Sequence, residues 1–132
     1  MDNLSTAAAL FTAIESKNPQ AVADLYDDDV QVWHNFSNAC QSKAENLAVL
    51  TGLCENVPSV RYEVIERLEL PDGRVMQRHT LRASTGSGED VLIPACIFVG
   101  VKDGKIVRID EYLDTAQANR LRQLTGRAPI DG

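Results

Sequence analysis

Two histidines, His34 and His79, and one acidic residue, Glu111, are the side chains of this sequence whose types and settings suit proton transfer near neutral pH. An imidazole exchanges a proton there at its ordinary pKa. A carboxylate among apolar groups is pushed toward the same range by desolvation, and a nearby histidine opposes that shift by stabilising the anion. Such groups can act together only if they face one hollow, and strand parity decides that, because a one-residue step moves a side chain to the opposite face.

Charge placement assigns the faces. On residues 74–82, Arg74, Met76, Arg78, Thr80 and Arg82 form the wet set, a solvated stripe, and Val75, Gln77, His79 and Leu81 face the core. On the last strand, Arg108, Asp110 and Tyr112 share one face, and Val107, Ile109, Glu111 and Leu113 share the other, so Glu111 lies in apolar company. On the first strand Val30, Val32, His34 and Phe36 point inward, opposite Gln31, Trp33, Asn35 and Ser37, and Trp33 needs a second apolar surface. The candidate catalytic residues are therefore His34, His79 and Glu111, with Gln77 and Ile109 on the same inner faces as candidate substrate contacts. A buried polar group is unfavourable without a partner, and these three can be partners for each other. The plainer alternative is that each histidine donates to a backbone carbonyl and that Glu111 reaches water at a strand end.

The elements that must position them follow from periodicity. Ser5 is a candidate cap for a helix through Ala8, Phe11 and Ile14 that stops near Lys17, and Asn18-Pro19 opens a short helix through Tyr26 that Asp27-Asp28-Asp29 ends. A first strand runs from Val30 to about Phe36. Ser42 with Glu45 reads as a capping box for a third helix before Pro58. From Ser59 the period becomes alternating. Turn signals at Pro71-Asp72-Gly73, Gly86-Ser87-Gly88 and Lys102-Asp103-Gly104 divide it into antiparallel strands near 59–70, 74–85, 90–101 and 105–113. Asp114 with Gln117 caps a closing helix from Thr115 to about Leu124, ended by Gly126. The expected class is α+β, one domain over residues 1–132.

Composition narrows the function. A formal charge of −6 disfavours nucleic acid as a partner, since that affinity comes from clustered Lys and Arg. No stretch approaches the roughly 20 apolar residues of a membrane span, and Met1-Asp2-Asn3-Leu4 lacks the flank of a signal peptide, so a soluble, cytoplasmic protein is expected. Cys40, Cys54 and Cys96 have neither the count of a disulfide framework nor the spacing of a zinc site, and Cys96 reads as a small buried hydrophobe. No metal cluster, phosphate-cradling loop or nucleotide fingerprint is present, so no cofactor is implied.

The run Asp28-Asp29-Val30-Gln31-Val32-Trp33-His34-Asn35, followed by Asp103-Gly104-Lys105-Ile106-Val107-Arg108-Ile109-Asp110-Glu111-Tyr112-Leu113-Asp114, resembles the SnoaL-like branch of the nuclear transport factor 2-like superfamily over nearly the whole chain. The resemblance implies a cone: front helices on a curved, mostly antiparallel sheet around a pocket, often in a homodimer. Relatives include polyketide cyclases, ketosteroid isomerases and limonene-epoxide-hydrolase-like enzymes. In the isomerases, whose acid–base chemistry rests on tuned pKa values, an aspartate base stands where His34 stands here. In the hydrolases an aromatic and an asparagine on that strand resemble Trp33 and Asn35, which become candidate substrate contacts and would turn the opposite face inward. The hydrolases also carry an arginine and an aspartate where this chain has His79 and Leu81, and an aspartate where it has Glu111. Leu81 lacks the water-activating carboxylate, which argues against epoxide hydrolysis. The expectation is a cofactor-independent acid–base enzyme (isomerase, cyclase or hydrolase) for a small apolar carbonyl compound. The alternative is a ligand-binding or dimeric interaction module.

Overall fold

Asp2 accepts the backbone N–H of Ser5 and so caps α1 (Asn3–Glu15), three positions earlier than the expected cap at Ser5. An aspartate oxygen caps as well as a serine hydroxyl, and here it reaches the third helical N–H. The computed structural model describes residues 1–130. Asn18 caps α2 (Pro19–Leu25) with proline at its first position, and Ser42 and Glu45 form a reciprocal capping box at the start of α3 (Lys43–Asn56). Asp114 caps α4 (Thr115–Leu124), and Gly126 follows it with φ +74°.

The strands are β1 (Tyr26–His34), β2 (Cys40–Gln41), β3 (Ser59–Glu69), β4 (Val75–Ser84), β5 (Asp90–Lys102) and β6 (Lys105–Leu113). They form one mixed sheet in the order β2-β1-β6-β5-β4-β3, antiparallel except for the parallel β1–β6 pair. The β5–β6 hairpin closes through Asp103 and Gly104, both at positive φ, the geometry a two-residue turn needs to match strand twist. The architecture is the expected α+β one, with helices on one face of the sheet and a short C-terminal helix.

The readings of the acidic run and of the start of β6 are corrected. The acidic run does not separate α2 from β1: the strand begins at Tyr26, and Asp27–Asp29 lie in an irregular stretch where β1 carries more residues than β6 between successive pairs. On β6, Val107 is the extra residue of a bulge, since Ile106 pairs with Val101 and Arg108 with Gly100, and Ile106 is the side chain in the core. From Ile109 onward the expected parity holds.

The core lies between the helices and the inner sheet face, built on Leu10, Val22, Val32, Val75, Val99 and Ile106. Cys96 departs from expectation: it is half-buried on the outer face, level with Arg78 and Tyr112, because the inward positions of β5 are Val91, Ile93, Ala95, Ile97 and Val99. Among the described residues no helix is long and apolar enough to cross a membrane.

Candidate active site

A cavity of about 340 Å³ opens between the inner sheet face and helices α1, α3 and α4. Its floor is Ile93, Ala95 and Ile97 of β5, and Leu10, Phe11 and Leu50 close it from the helix side. Ala95 is the small residue of that floor, and the space above it is bounded by residues from β1, β6, β4 and β3.

His34, Glu111 and His79 all line this cavity, as does Ile109. His34 and Glu111 are direct neighbours in the parallel β1–β6 register, so their side chains emerge on the same face, and His34 Nε2 lies 3.2 Å from Glu111 Oε1. The imidazole stacks on Phe36, with ring centroids 4.8 Å apart. A carboxylate only accepts hydrogen bonds, so a neutral His34 facing it carries its proton on Nε2 and has a lone pair on Nδ1. That Nδ1 is buried and has no hydrogen-bond partner among the described residues.

His79 does not touch this pair. The register runs Glu111–Ile97–Gln77 across three strands, with His79 two residues farther along β4 beside Ala95, so the imidazole stands on the order of 10 Å from the carboxylate across an apolar floor. It is 1% exposed, set edge-on against the rings of Phe11 and Tyr62. Burial pushes its pKa below the ordinary histidine value; Glu111 opposes that shift and Arg67 adds to it. Its Nδ1 is 2.8 Å from Gln77 Nε2, and its Nε2 is buried without a partner among the described residues.

The other expected substrate contacts fall elsewhere. Gln77 is fully buried behind His79, not on the cavity wall. Trp33 and Asn35 are corrected to the outside of the cavity, because the parity that turns His34 inward turns both of them away. Trp33 stands against Tyr112 with ring centroids 5.1 Å apart and donates its indole N–H to Asn38. The Asn35 amide clamps β6: it donates to the Leu113 carbonyl and accepts the Leu113 N–H, extending the strand pairing just beyond the His34–Glu111 contact.

The structure adds residues that periodicity and charge do not single out. Tyr26, at the start of β1, donates to Asn46 Oδ1 at 2.7 Å, and Asn46 donates to Gln41. Tyr26 and Tyr62 both line the cavity, and burial, with the Glu111 charge second, raises both phenols above their ordinary range, so they remain protonated. Asn46 had a legible sign, a polar residue on the apolar side of α3. Chemically, the cavity pairs a histidine–carboxylate dyad at one end with a neutral histidine, held by Gln77, at the other. No group of three or more His, Cys, Asp or Glu is gathered to hold a metal among the described residues.

The family model of the SnoaL-like domain matches residues 7–109. Among solved structures, the chain is similar to wild-type IdmH of Streptomyces antibioticus, a candidate polyketide cyclase, at 16% identity and TM-score 0.77, covering 90% of this chain and 96% of that one. It is also similar to an LEH-like epoxide hydrolase of M. tuberculosis, at 15% identity and TM-score 0.74, covering 93% and 90%. A protein of ketosteroid isomerase-like fold from Catenulispora acidiphila, in complex with trimethylamine, matches at 13% identity and TM-score 0.72, covering 93% of each chain. At these identities the likeness is one of fold. No curated protein matches in sequence.

Proposed function

The chain belongs to the family of SnoaL-like domains, and from that premise we propose that residues 1–132 form one such unit, a cofactor-independent acid–base enzyme (isomerase, cyclase or hydrolase) acting on a small apolar carbonyl compound. The observation that carries this reading is the His34–Glu111 contact inside a cavity whose wall is otherwise mainly apolar. In this reading His34 Nδ1 takes a proton from carbon next to a carbonyl, Glu111 orients the imidazole and stabilises the imidazolium, and His79 donates to the oxygen on which charge develops. Proton transfer between a histidine and substrate needs no group beyond these side chains. Leu81 on the wall, in place of a second carboxylate, disfavours classical epoxide hydrolysis.

The test uses heavy water and a panel of small apolar ketones, lactones and epoxides, with proton NMR following both the ligand and the two histidines. Loss of the ligand's α-proton signal, or its conversion to an isomer or ring-closed product, with linked shifts in His34 and His79, is the expected result. The enzyme reading is sunk if no compound reacts and the two histidines titrate as independent exposed groups.

The partner we propose besides the substrate is a second copy of the chain, meeting it through the outer sheet face. Tyr112 (51% exposed), Leu92 (42%) and Leu68 (38%) lie there with Trp33, Met76 and Phe98, interspersed with charge pairs such as Arg78–Glu66 and Arg108–Asp110. Sedimentation at micromolar concentration should give twice the 14.5 kDa chain mass, and Tyr112→Asp should halve it. A wild-type protein that sediments as a monomer ends this part of the reading. The free thiols of Cys40, Cys54 and Cys96 suit a reducing compartment such as the cytoplasm.

A further inference from the structure

We infer that Arg67 and Gln77 are positioning residues that hold His79, whose ring lines the cavity, as a neutral imidazole with its proton on Nε2, a fixed hydrogen-bond donor. Arg67 Nε lies 2.5 Å from a terminal atom of the Gln77 amide, and the other terminal atom of that amide lies 2.8 Å from His79 Nδ1. A guanidinium has donors and no acceptor, so the amide atom facing Arg67 has to be the oxygen. The nitrogen then faces His79 and donates. His79 Nδ1 has to accept, which leaves Nε2 to carry the proton.

The tautomer follows whichever way the amide is drawn, since arginine, which can only donate, fixes which end of it is the oxygen and which the nitrogen. Gln77 is completely buried and His79 nearly so, and no other partner for Nε2 exists among the described residues. The charged groups that reach His79 are Arg67 on β3 and Glu111 on β6. From the other packed elements come the protonated Tyr62 of β3, the Phe11 ring of α1 and Ala95 of β5. Protonating His79 would set an N–H against the N–H of Gln77 and add a second cation near Arg67, which reinforces what burial already does.

For the proposed reaction, and resting on it, the consequence is a division of labour. His34 presents a lone pair and His79 an N–H, and neither can exchange parts without breaking its own partner. The substrate oxygen set against His79 is then an acceptor, such as a ketone or lactone carbonyl, and a hydroxyl could meet it only through its lone pairs.

The test needs no substrate, so its outcome is separate from that of the functional reading. Long-range nitrogen–proton NMR spectra of the ligand-free protein, labelled at histidine nitrogens, report the tautomer of each ring, and His34→Gln assigns the two residues because the chain has only two histidines. His79 should show a protonated Nε2 and a bare Nδ1, and should keep that pattern below pH about 6.5, where an ordinary histidine becomes half charged. In Gln77→Glu the carboxylate accepts from both neighbours, so the proton should appear on Nδ1, or on both nitrogens. In Arg67→Met, which leaves no buried charge and so guards against a variant that fails to fold, the amide is free to turn and His79 should show a mixture of tautomers. A wild-type His79 protonated on Nδ1, or on both nitrogens at neutral pH, overturns the inference. So does an unchanged His79 pattern in Arg67→Met or in a folded Gln77→Glu. On a substrate found by the heavy-water panel, Arg67→Met should lower kcat more than it changes KM.

Discussion

Replacing His34 by glutamine is expected to lower turnover by about 10²–10⁴-fold, the contribution of one positioned acid–base group, while ligand binding changes by no more than a few fold. Glutamine separates two roles that alanine would confound. Its amide can still donate toward Glu111 and still fills most of the space beside Phe36, so the wall of the cavity keeps its shape and the carboxylate keeps a partner. What it cannot do is accept and return a proton near neutral pH. The loss should therefore fall on kcat, as expected for an interaction made only in the transition state. The measurement is steady-state turnover of a substrate from the heavy-water panel, beside calorimetric binding of the same compound and a thermal unfolding curve as a control on folding. Turnover within two-fold of the unaltered protein would remove His34 from the chemistry and leave the cavity as a binding pocket.

The inward direction of Glu111, His79, Gln77 and Ile109 is legible in the sequence, because each lies on a strand with enough charge on one face to fix its parity, whereas residues 30–37 carry no charge and place His34 inward only by the company of Val30 and Val32. Arg74, Arg78 and Arg82 leave β4 one possible inner face, and Arg108 and Asp110 do the same for the far half of β6. Parity breaks where a strand takes on an extra residue. Alternation from Val60 and Tyr62 would send Glu66 and Leu68 inward, but Ile65 is an extra residue between the pairs Val64–His79 and Glu66–Arg78, and past it Arg67 turns inward to meet Gln77. Nothing in the composition of β3 announces that bulge, and Arg67 is hidden for that reason. Val107 hides Ile106 in the same way.

Trp33 and Asn35 differ in kind. The residues of β1 assign their side chains outward, likeness to the epoxide hydrolases assigns them inward, and the structure sides with the residues. Asn35 has a job of its own, completing the hydrogen bonding of the Leu113 main chain where β1 runs out. The link between Tyr26 and Asn46 is out of reach for another reason, although Asn46 itself stands out among the apolar residues of α3. Tyr26 reads as the end of a helix, and its link to Asn46 joins two elements 20 residues apart through a buried hydrogen bond. Such tertiary pairings leave no periodic trace.

The other large effect concerns whether His34 and Glu111 work as one unit. Glu111→Gln should also lower turnover by about 10²–10⁴-fold, because the amide retains the size of the carboxylate but not the negative charge that stabilises an imidazolium as it forms. If the two residues acted separately, their losses would multiply in the double variant, to about 10⁴–10⁸-fold. With the proton passing through His34 alone, and Glu111 acting only on His34, a protein lacking the imidazole has nothing for the carboxylate to stabilise. The double variant should then be no slower than His34→Gln, giving a coupling free energy of about 3–5 kcal/mol from the ~1.4 kcal/mol that corresponds to each factor of ten. Cavity-lining residues that merely shape the pocket, such as Leu50, should multiply with His34 instead and serve as the reference pair. Independent, multiplying losses for His34 and Glu111 would mean that their 3.2 Å contact is structural, with the carboxylate serving some other part of the reaction.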